Sequence, residues 1–215
     1  MELYSVWIAF AERNGALWPS IVELAERGRS LAMLIFLSSR HEPILKEIEV
    51  SWRAAIERTA AAMGLLQRVA IFARKTPNIK AINQILAQFD STFHLPFDAD
   101  LIVEGFDLTQ TKLFKSATQP VQVVVRGHSE KTKLPFERQL LVKYDDVTND
   151  RLCSLVAFLL NENCGLQIVR YGVLKLGDQF GLIEMVEAAH LHEIYYKKKT
   201  NLLNYVLEKN EDKTI

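Results

Sequence analysis

From Ile48 to Phe72, apolar residues recur at helical intervals. Ile48, Trp52, Ile56, Met63, Leu66 and Val69 stand three, four or seven positions apart, with Glu49, Arg53, Glu57, Arg58 and Arg68 largely off that line. This predicts one long helix with a single apolar stripe. Pro43 suits its first turn or the loop before it, and Pro77 stops it. A second stripe follows through Ile79, Ile82, Ile85, Leu86 and Phe89. Earlier, Ile21 to Leu37 is rich in Leu, Ala and Ile, with Pro19 near its start. Helix after helix without strand signals predicts a bundle, or a stack of hairpins, for the first ninety or so residues.

Near Leu95-Pro96-Phe97-Asp98 the period changes. Ile102, Glu104, Phe106 and Leu108 then alternate with Leu101, Val103 and Asp107. VQVVVRG (Val121 to Gly127) and FERQLLVKY (Phe136 to Tyr144) follow, bounded by Pro120, Gly127 and Pro135. These β-branched and aromatic runs predict strands. Asn149 to Asn161 returns to helix, with Leu152, Leu155, Val156, Leu159 and Leu160 on one face and Gly165 as the stop. Two more strands are predicted around Leu166–Tyr171 and Gly181–Val186, then a helical tail from Ala188 to Lys209. The order is helices, three strands, one helix, two strands, helices. It predicts an α+β protein with no internal repeat.

Composition narrows the picture modestly. Hydrophobic residues are 49% and charged residues 24% of the chain, an ordinary globular balance. Lys+Arg and Asp+Glu are 26 each, so no net field draws the chain to nucleic acid. Lys197-Lys198-Lys199 is the dense basic run and reads as a solvated segment. Cys153 and Cys164 have no neighbouring histidine, which excludes a zinc site and a disulfide framework. Their apolar surroundings predict buried thiols. His41, His94, His128, His190 and His192 show no metal spacing beyond the last two, which face different ways on a helix. The opening MELYSVWIAFAER lacks the basic start of a signal peptide, and no apolar stretch nears membrane-spanning length. A cytoplasmic protein is the expectation.

Four pieces between Leu113 and Val186 carry candidate chemistry. They are LFKSATQP (Leu113 to Pro120), LLVKYDDVTND (Leu140 to Asp150), IVRYG (Ile168 to Gly172) and LGDQFGLIEMV (Leu176 to Val186). In order and spacing they resemble the phosphoinositide 3-kinase family. The resemblance implies a kinase N-terminal lobe, a five-stranded antiparallel sheet with one helix, that binds ATP. Ser116 would lie in the loop covering the ATP phosphates, where small residues leave backbone amides free to meet anions. Lys143 would contact phosphate as a point charge, with Asp150 facing it from the next helix. Tyr171 would stand at the back of the adenine pocket, with Leu141 and Ile183 as apolar walls. The Glu184 carbonyl and Val186 amide would read the adenine edge. Taken without the resemblance, Lys143 is a solvated strand-end charge, Asp145, Asp146 and Asp150 are turn and helix-start residues, and Tyr171 is a core tyrosine.

The resemblance also implies an organisation. Residues 1–93 would be the end of a helical domain, carried by LLQRVAIFARK (Leu65 to Lys75) and FDSTFHLPFDADL (Phe89 to Leu101). Residues 94–187 would be the N-terminal lobe. Residues 188–215 would begin a C-terminal lobe truncated before the catalytic loop. The family's Gly-Asp-Arg-His and Asp-Phe-Gly motifs do not occur in the sequence. Magnesium ligands are therefore expected in the missing lobe, and the polypeptide alone is expected to be inactive. Leu141, Tyr171, Ile183, Met185, Leu202, Leu203 and Val206 would then leave apolar surface uncovered. Where the family has Trp, Arg and a basic residue before the loop proline, this chain has Gln122, a Val147-Thr148-Asn149 stretch and Gln119. Implied partners are a phosphoinositide lipid at a membrane surface, with recruitment to the inner face, and a regulatory subunit. The alternative is a non-catalytic kinase-like interaction module or pseudokinase.

Overall fold

The structure is a computed structural model, and it describes residues 50–176, 179–188, 191 and 193–209. The predicted helix over Ile21 to Leu37, with Pro19 and Pro43, lies outside the described residues, as do Ile48, His41, His190, His192 and the Gly177-Asp178 pair. The chain divides into two compact units, Met1–Met185 and Val186–Ile215.

In the first unit α1 (Val50–Lys75) is followed by α2 (Ile79–Leu86). The stripe read from sequence is the buried side of α1: Trp52, Ile56, Met63, Leu66 and Val69 are all at most 7% exposed. Pro77 separates the two helices, and Asn78 caps α2 by accepting from the Ala81 amide at 3.2 Å.

Next come β1 (Phe93–Leu95), β2 (Asp98–Phe106), β3 (Lys112–Leu113), β4 (Val121–Ser129) and β5 (Pro135–Lys143). After α3 (Thr148–Cys164) the sheet is completed by β6 (Val173–Lys175) and β7 (Gly181–Glu184). All described pairings are antiparallel. The order is β1-β2-β4-β5-β7-β6, with β3 on β4. The protein is thus α+β, with seven described strands where five are expected; β1 and β3 are too short to show a period of their own. One face of the sheet packs on the helices. Val103, Val121, Val123, Val125, Leu140, Val142 and Leu182 share a core with Ile56, Leu66 and Val69.

Three expectations change. Between Val103 and Gly105 the β2–β4 register shifts, leaving a bulge at Glu104. The bulge turns Phe106 to the Val103 side, where its ring lies 6.0 Å from Phe93 and 6.2 Å from Phe89. Simple alternation places it opposite. Residues 166–171 form no strand; the polar side chain of Asn161 bonds both the amide and the carbonyl of Ile168 at 2.8 Å, and pairing begins only at Val173. In α3 the apolar line points outward: Leu152, Val156 and Leu159 are exposed, while Ser154 and Ala157 are buried. Small residues bring this helix against the sheet, so Cys153 and Cys164 are exposed rather than buried. Gly165 does end the helix, at φ 66°.

The second unit holds a π turn (Glu193–Lys197) and α4 (Leu202–Lys209). Lys198 lies over the Tyr205 ring at 4.5 Å. Leu202, Leu203 and Val206 are exposed, as expected of them. Ile183 is the correction: at 8% exposure it is buried, because it lies in β7 between Leu141 on β5 and Val173 on β6. No described helix is long and apolar enough to cross a membrane.

Candidate functional site

The sheet face away from α1 gathers most of the residues singled out in the first unit. Directly opposed residues of an antiparallel ladder point to the same side. Gln122, Leu141, Ile183 and Val173 therefore form one row across four strands, and Lys143, Gly181 and Lys175 form the next. Gln122 is buried, Ile183 is buried and Leu141 is half-buried.

The start of α3 lies over the second row. A methyl group on Gly181 would run into the side chain of Val147, so the missing side chain is what lets this residue settle on the strand. An ion pair stands on either side. Lys143 Nζ is 3.4 Å from Asp150 Oδ2, with 19% and 35% of the two side chains exposed. Lys175 Nζ is 2.9 Å from Asp146 Oδ1 and donates to Thr148 Oγ1 at 2.8 Å. Asp146 also accepts from the amide and hydroxyl of Thr148 at 3.0 and 2.6 Å. The Thr148 hydroxyl first, and then Lys175, hold the Asp146 carboxyl at about 2, below its usual range. The turn between Lys143 and Val147 is tied from a third side. Arg74 at the end of α1 donates to the Tyr144 carbonyl at 3.4 Å and lies over its ring.

The other residues singled out lie at the margins. Glu184 ends β7, and its amide donates to the Gly172 carbonyl at 2.8 Å. Its carboxylate accepts from the Gly172 amide at 3.1 Å and faces Arg138 Nε at 3.4 Å. A side chain on Gly172 would collide with the Phe97 ring, so that position takes glycine. Tyr171 offers its carbonyl to the Ser154 hydroxyl at 2.9 Å. Ser116 is exposed in the β3–β4 loop, whose last residue precedes Val121, the partner of Val142. Register thus puts the loop at the Lys143 end of the sheet. Val186 opens the second unit and is exposed.

Sequence reasoning missed the Lys175–Asp146–Thr148 cluster and the Arg74–Tyr144 tie. The Asp-x-Thr spacing just ahead of α3 carried the signal for the first, since it is an Asx-turn pattern. Nothing local pointed to Arg74. Among the described residues no group of three His, Cys, Asp or Glu side chains could hold a metal ion. Asp146 and Asp150, the acidic groups nearest the face, are each engaged by a lysine.

The chain is related to the phosphatidylinositol 3-kinases. It is 28% identical over 116 residues to phosphatidylinositol 3-kinase VPS34 of Arabidopsis thaliana, covering 51% of this chain and 14% of that protein. It is 25% identical over 133 residues to the nodule isoform of phosphatidylinositol 3-kinase from Glycine max, covering 59% of this chain and 16% of the relative. The root isoform of Glycine max matches at 25% over 133 residues. The matched region spans about one sixth of these relatives or less. No family model matches the chain.

Proposed function

We propose that residues 94–187 are the ATP-binding lobe of a phosphatidylinositol 3-kinase-like protein, preceded by the end of a helical domain and followed by the start of a C-terminal lobe. The observation that carries this reading is the Lys143–Asp150 pair beside Gln122, Leu141 and Ile183. Kinase lobes use a lysine–acid pair between a strand and the lobe's helix to hold the lysine toward phosphate. Here β5 supplies the lysine and α3 the acid, and the apolar row beside them suits an adenine ring. That donor set fits ATP. Lys143 would hold phosphate charge, Ser116 and its loop amides would approach it, and Leu141, Ile183 and Tyr171 would flank the base. The Glu184 carbonyl and Val186 amide are assigned to the adenine edge on the family resemblance.

The described residues do not fit magnesium, since their nearest carboxylates are occupied by lysines, and its ligands belong to the C-terminal lobe. In the complete reaction the ATP γ-phosphate would pass to the inositol 3-hydroxyl of a phosphatidylinositol lipid at a membrane surface, in the cytoplasm and with a regulatory subunit as a natural partner. The 215 residues contain neither the catalytic-loop motif nor Asp-Phe-Gly, so this polypeptide by itself binds nucleotide without transferring phosphate. The test is titration of the purified chain with a fluorescent ATP analogue. Saturable binding that falls at least tenfold in Lys143→Met, a loss of about 1.4 kcal/mol, is expected, with no phosphoinositide product from lipid vesicles. Binding indifferent to Lys143→Met would sink the reading.

One observation favours a second reading. The buried Gln122 occupies the row position where the family resemblance calls for tryptophan, so the aromatic wall is replaced by an amide. In that reading the lobe is a pseudokinase or a non-catalytic interaction module, and the same titration shows no saturable nucleotide binding.

A further inference from the structure

The outward line of α3 has a spacing of its own. Asn149, Leu152, Val156, Leu159 and Asn163 follow one another at steps of three, four, three and four residues. That is the a/d repeat of a helix-pairing seam, with Val156 at an a position and Leu152 and Leu159 at d. All five residues are exposed, and Leu152, Val156 and Leu159 are 56%, 44% and 43% open to solvent. The helix sets its opposite side, with Ser154 and Ala157, against the sheet. An apolar stripe turned away from its own core marks a surface built to be covered.

The residues of the seam and beside it say what covers it. A β-branched residue at a with leucine at d favours two strands, and an asparagine at a fixes register by meeting its own copy. Here Asn149 and Asn163 close the seam at both ends. Leu155 and Leu160, both half-buried, stand at the flanking g and e positions, which meet each other across a parallel pair. Those positions usually carry charges that choose a different partner. Two identical helices would set like charges together, and two leucines remove that repulsion. Glu162 is also at g, but the position it would face lies past Cys164, where the helix ends. A membrane surface is a poorer match, since interfacial helices are rich in Lys and Arg, and α3 has no lysine and a single arginine, Arg151, off the seam. Two heptads are too few for a free coiled coil. α3, however, is already fixed on the sheet by the Lys143–Asp150 and Lys175–Asp146 pairs, so pairing need not first order the helix.

We propose that α3 is a self-association face, on which a second copy of this chain docks through its own α3. The two helices run parallel and are related by a two-fold axis. Val156 meets the partner's Val156, and Leu152 and Leu159 meet their counterparts. Asn149 and Asn163 pair amide to amide at the two ends, and Leu155 packs on the partner's Leu160. The helix is about 25 Å long. A contact of that length is smaller than a standard interface, so the pair is weak and reversible. The inference stands apart from nucleotide binding at Lys143.

The test is analytical ultracentrifugation of the full 215-residue chain over a range of concentrations. A monomer–dimer equilibrium is expected, with a dissociation constant on the order of 10–100 µM. Val156→Glu sets two like charges face to face and should weaken it about tenfold or more, whereas Val156→Ile should keep it. Val156 is exposed, so the fold should survive, and an unchanged thermal transition in dilute solution checks this. The direction of pairing is read by crosslinking in a Cys153→Ser, Cys164→Ser background. There Asn149→Cys should give a disulfide-linked dimer on mild oxidation. Glu57→Cys, exposed on α1 at the other face of the sheet, should not. The proposal is overturned if the chain stays monomeric to about 500 µM, well above the affinity expected of a contact this size. It is equally overturned if Val156→Glu dimerises normally, or if Glu57→Cys crosslinks as readily as Asn149→Cys. Binding of α3 to phosphatidylcholine vesicles by a chain that remains monomeric would also overturn it.

Discussion

Lys175 on β6 reaches across Gly181 to Asp146, 2.9 Å away, and so pins the first turn of α3 to the sheet from the side opposite the Lys143–Asp150 pair. Asp146 is held at about 2 against an ordinary 3.8. Its folded value is the lower one. Its contribution is therefore complete above about 3.8 and disappears as the pH falls through about 2. Asp146→Asn should lower the thermal midpoint at pH 6, and the gap from wild type should close between pH 4 and pH 2. Unfolding scans across that range measure it; a gap that stays constant to pH 2 would count against the assignment.

Thr59 ties the long helix to the first strand. Its hydroxyl is fully buried, donates to the Ala55 carbonyl at 2.9 Å and accepts from the His94 amide at 3.1 Å. Thr59→Val keeps the shape and removes the acceptor that His94 uses. Loss of a buried partner costs on the order of 1–3 kcal/mol, and Thr59→Ser should recover most of it. Denaturant midpoints of the two variants decide the matter.

Gly127 pairs with Val103 just before the bulge in β2. A methyl group there would overlap the Ile102 carbonyl oxygen, which belongs to the backbone and has nowhere to go. Gly127→Ala should destabilise by about 3 kcal/mol or more, in the manner of other overpacking changes. A methyl group added to Gly105, on the other side of the bulge, would meet nothing within 4 Å. Gly105→Ala should be close to neutral, within roughly 1 kcal/mol. Equal effects at the two sites would refute the argument.

Cys153 and Cys164 are both exposed on α3. The native protein should react at two thiols with an aromatic disulfide reagent without denaturant. A reaction that waits for unfolding would mean that this side of the helix is covered.

How much of this was legible beforehand depended on which interactions set each element. The α1 stripe was readable because Trp52, Ile56, Met63, Leu66 and Val69 all face one core, so local period and global packing agree. β4 and β5 announced themselves through uninterrupted valine, leucine and bounding prolines and glycine. The Glu104 bulge was not readable, because it is decided by the partner strand. The outward stripe of α3 misled for a related reason: the helix is held by Ser154, Ala157 and the charged contacts of its first turn, which apolar period does not register. In the candidate site, the facing of Lys143 and Asp150 was legible only through the family resemblance, since each alone reads as a solvated charge at a strand end or a helix start. Lys175 was not legible at all, since only the β6–β7 register places it beside Gly181.

The position of β5 also sets an order of assembly. One of its edges pairs with β4 through a short connection, while the other waits for β7, which the chain reaches only after α3 and β6. Closing the longer loop loses chain entropy before any pairing rewards it. The β4–β5 hairpin should therefore be structured when the folding barrier is crossed, and the β7 edge should zip on afterwards. In chevron measurements Val125→Ala should chiefly slow folding, and Leu182→Ala should chiefly hasten unfolding. The face that carries Lys143 would then be the last part of the sheet to be finished and the first to be lost.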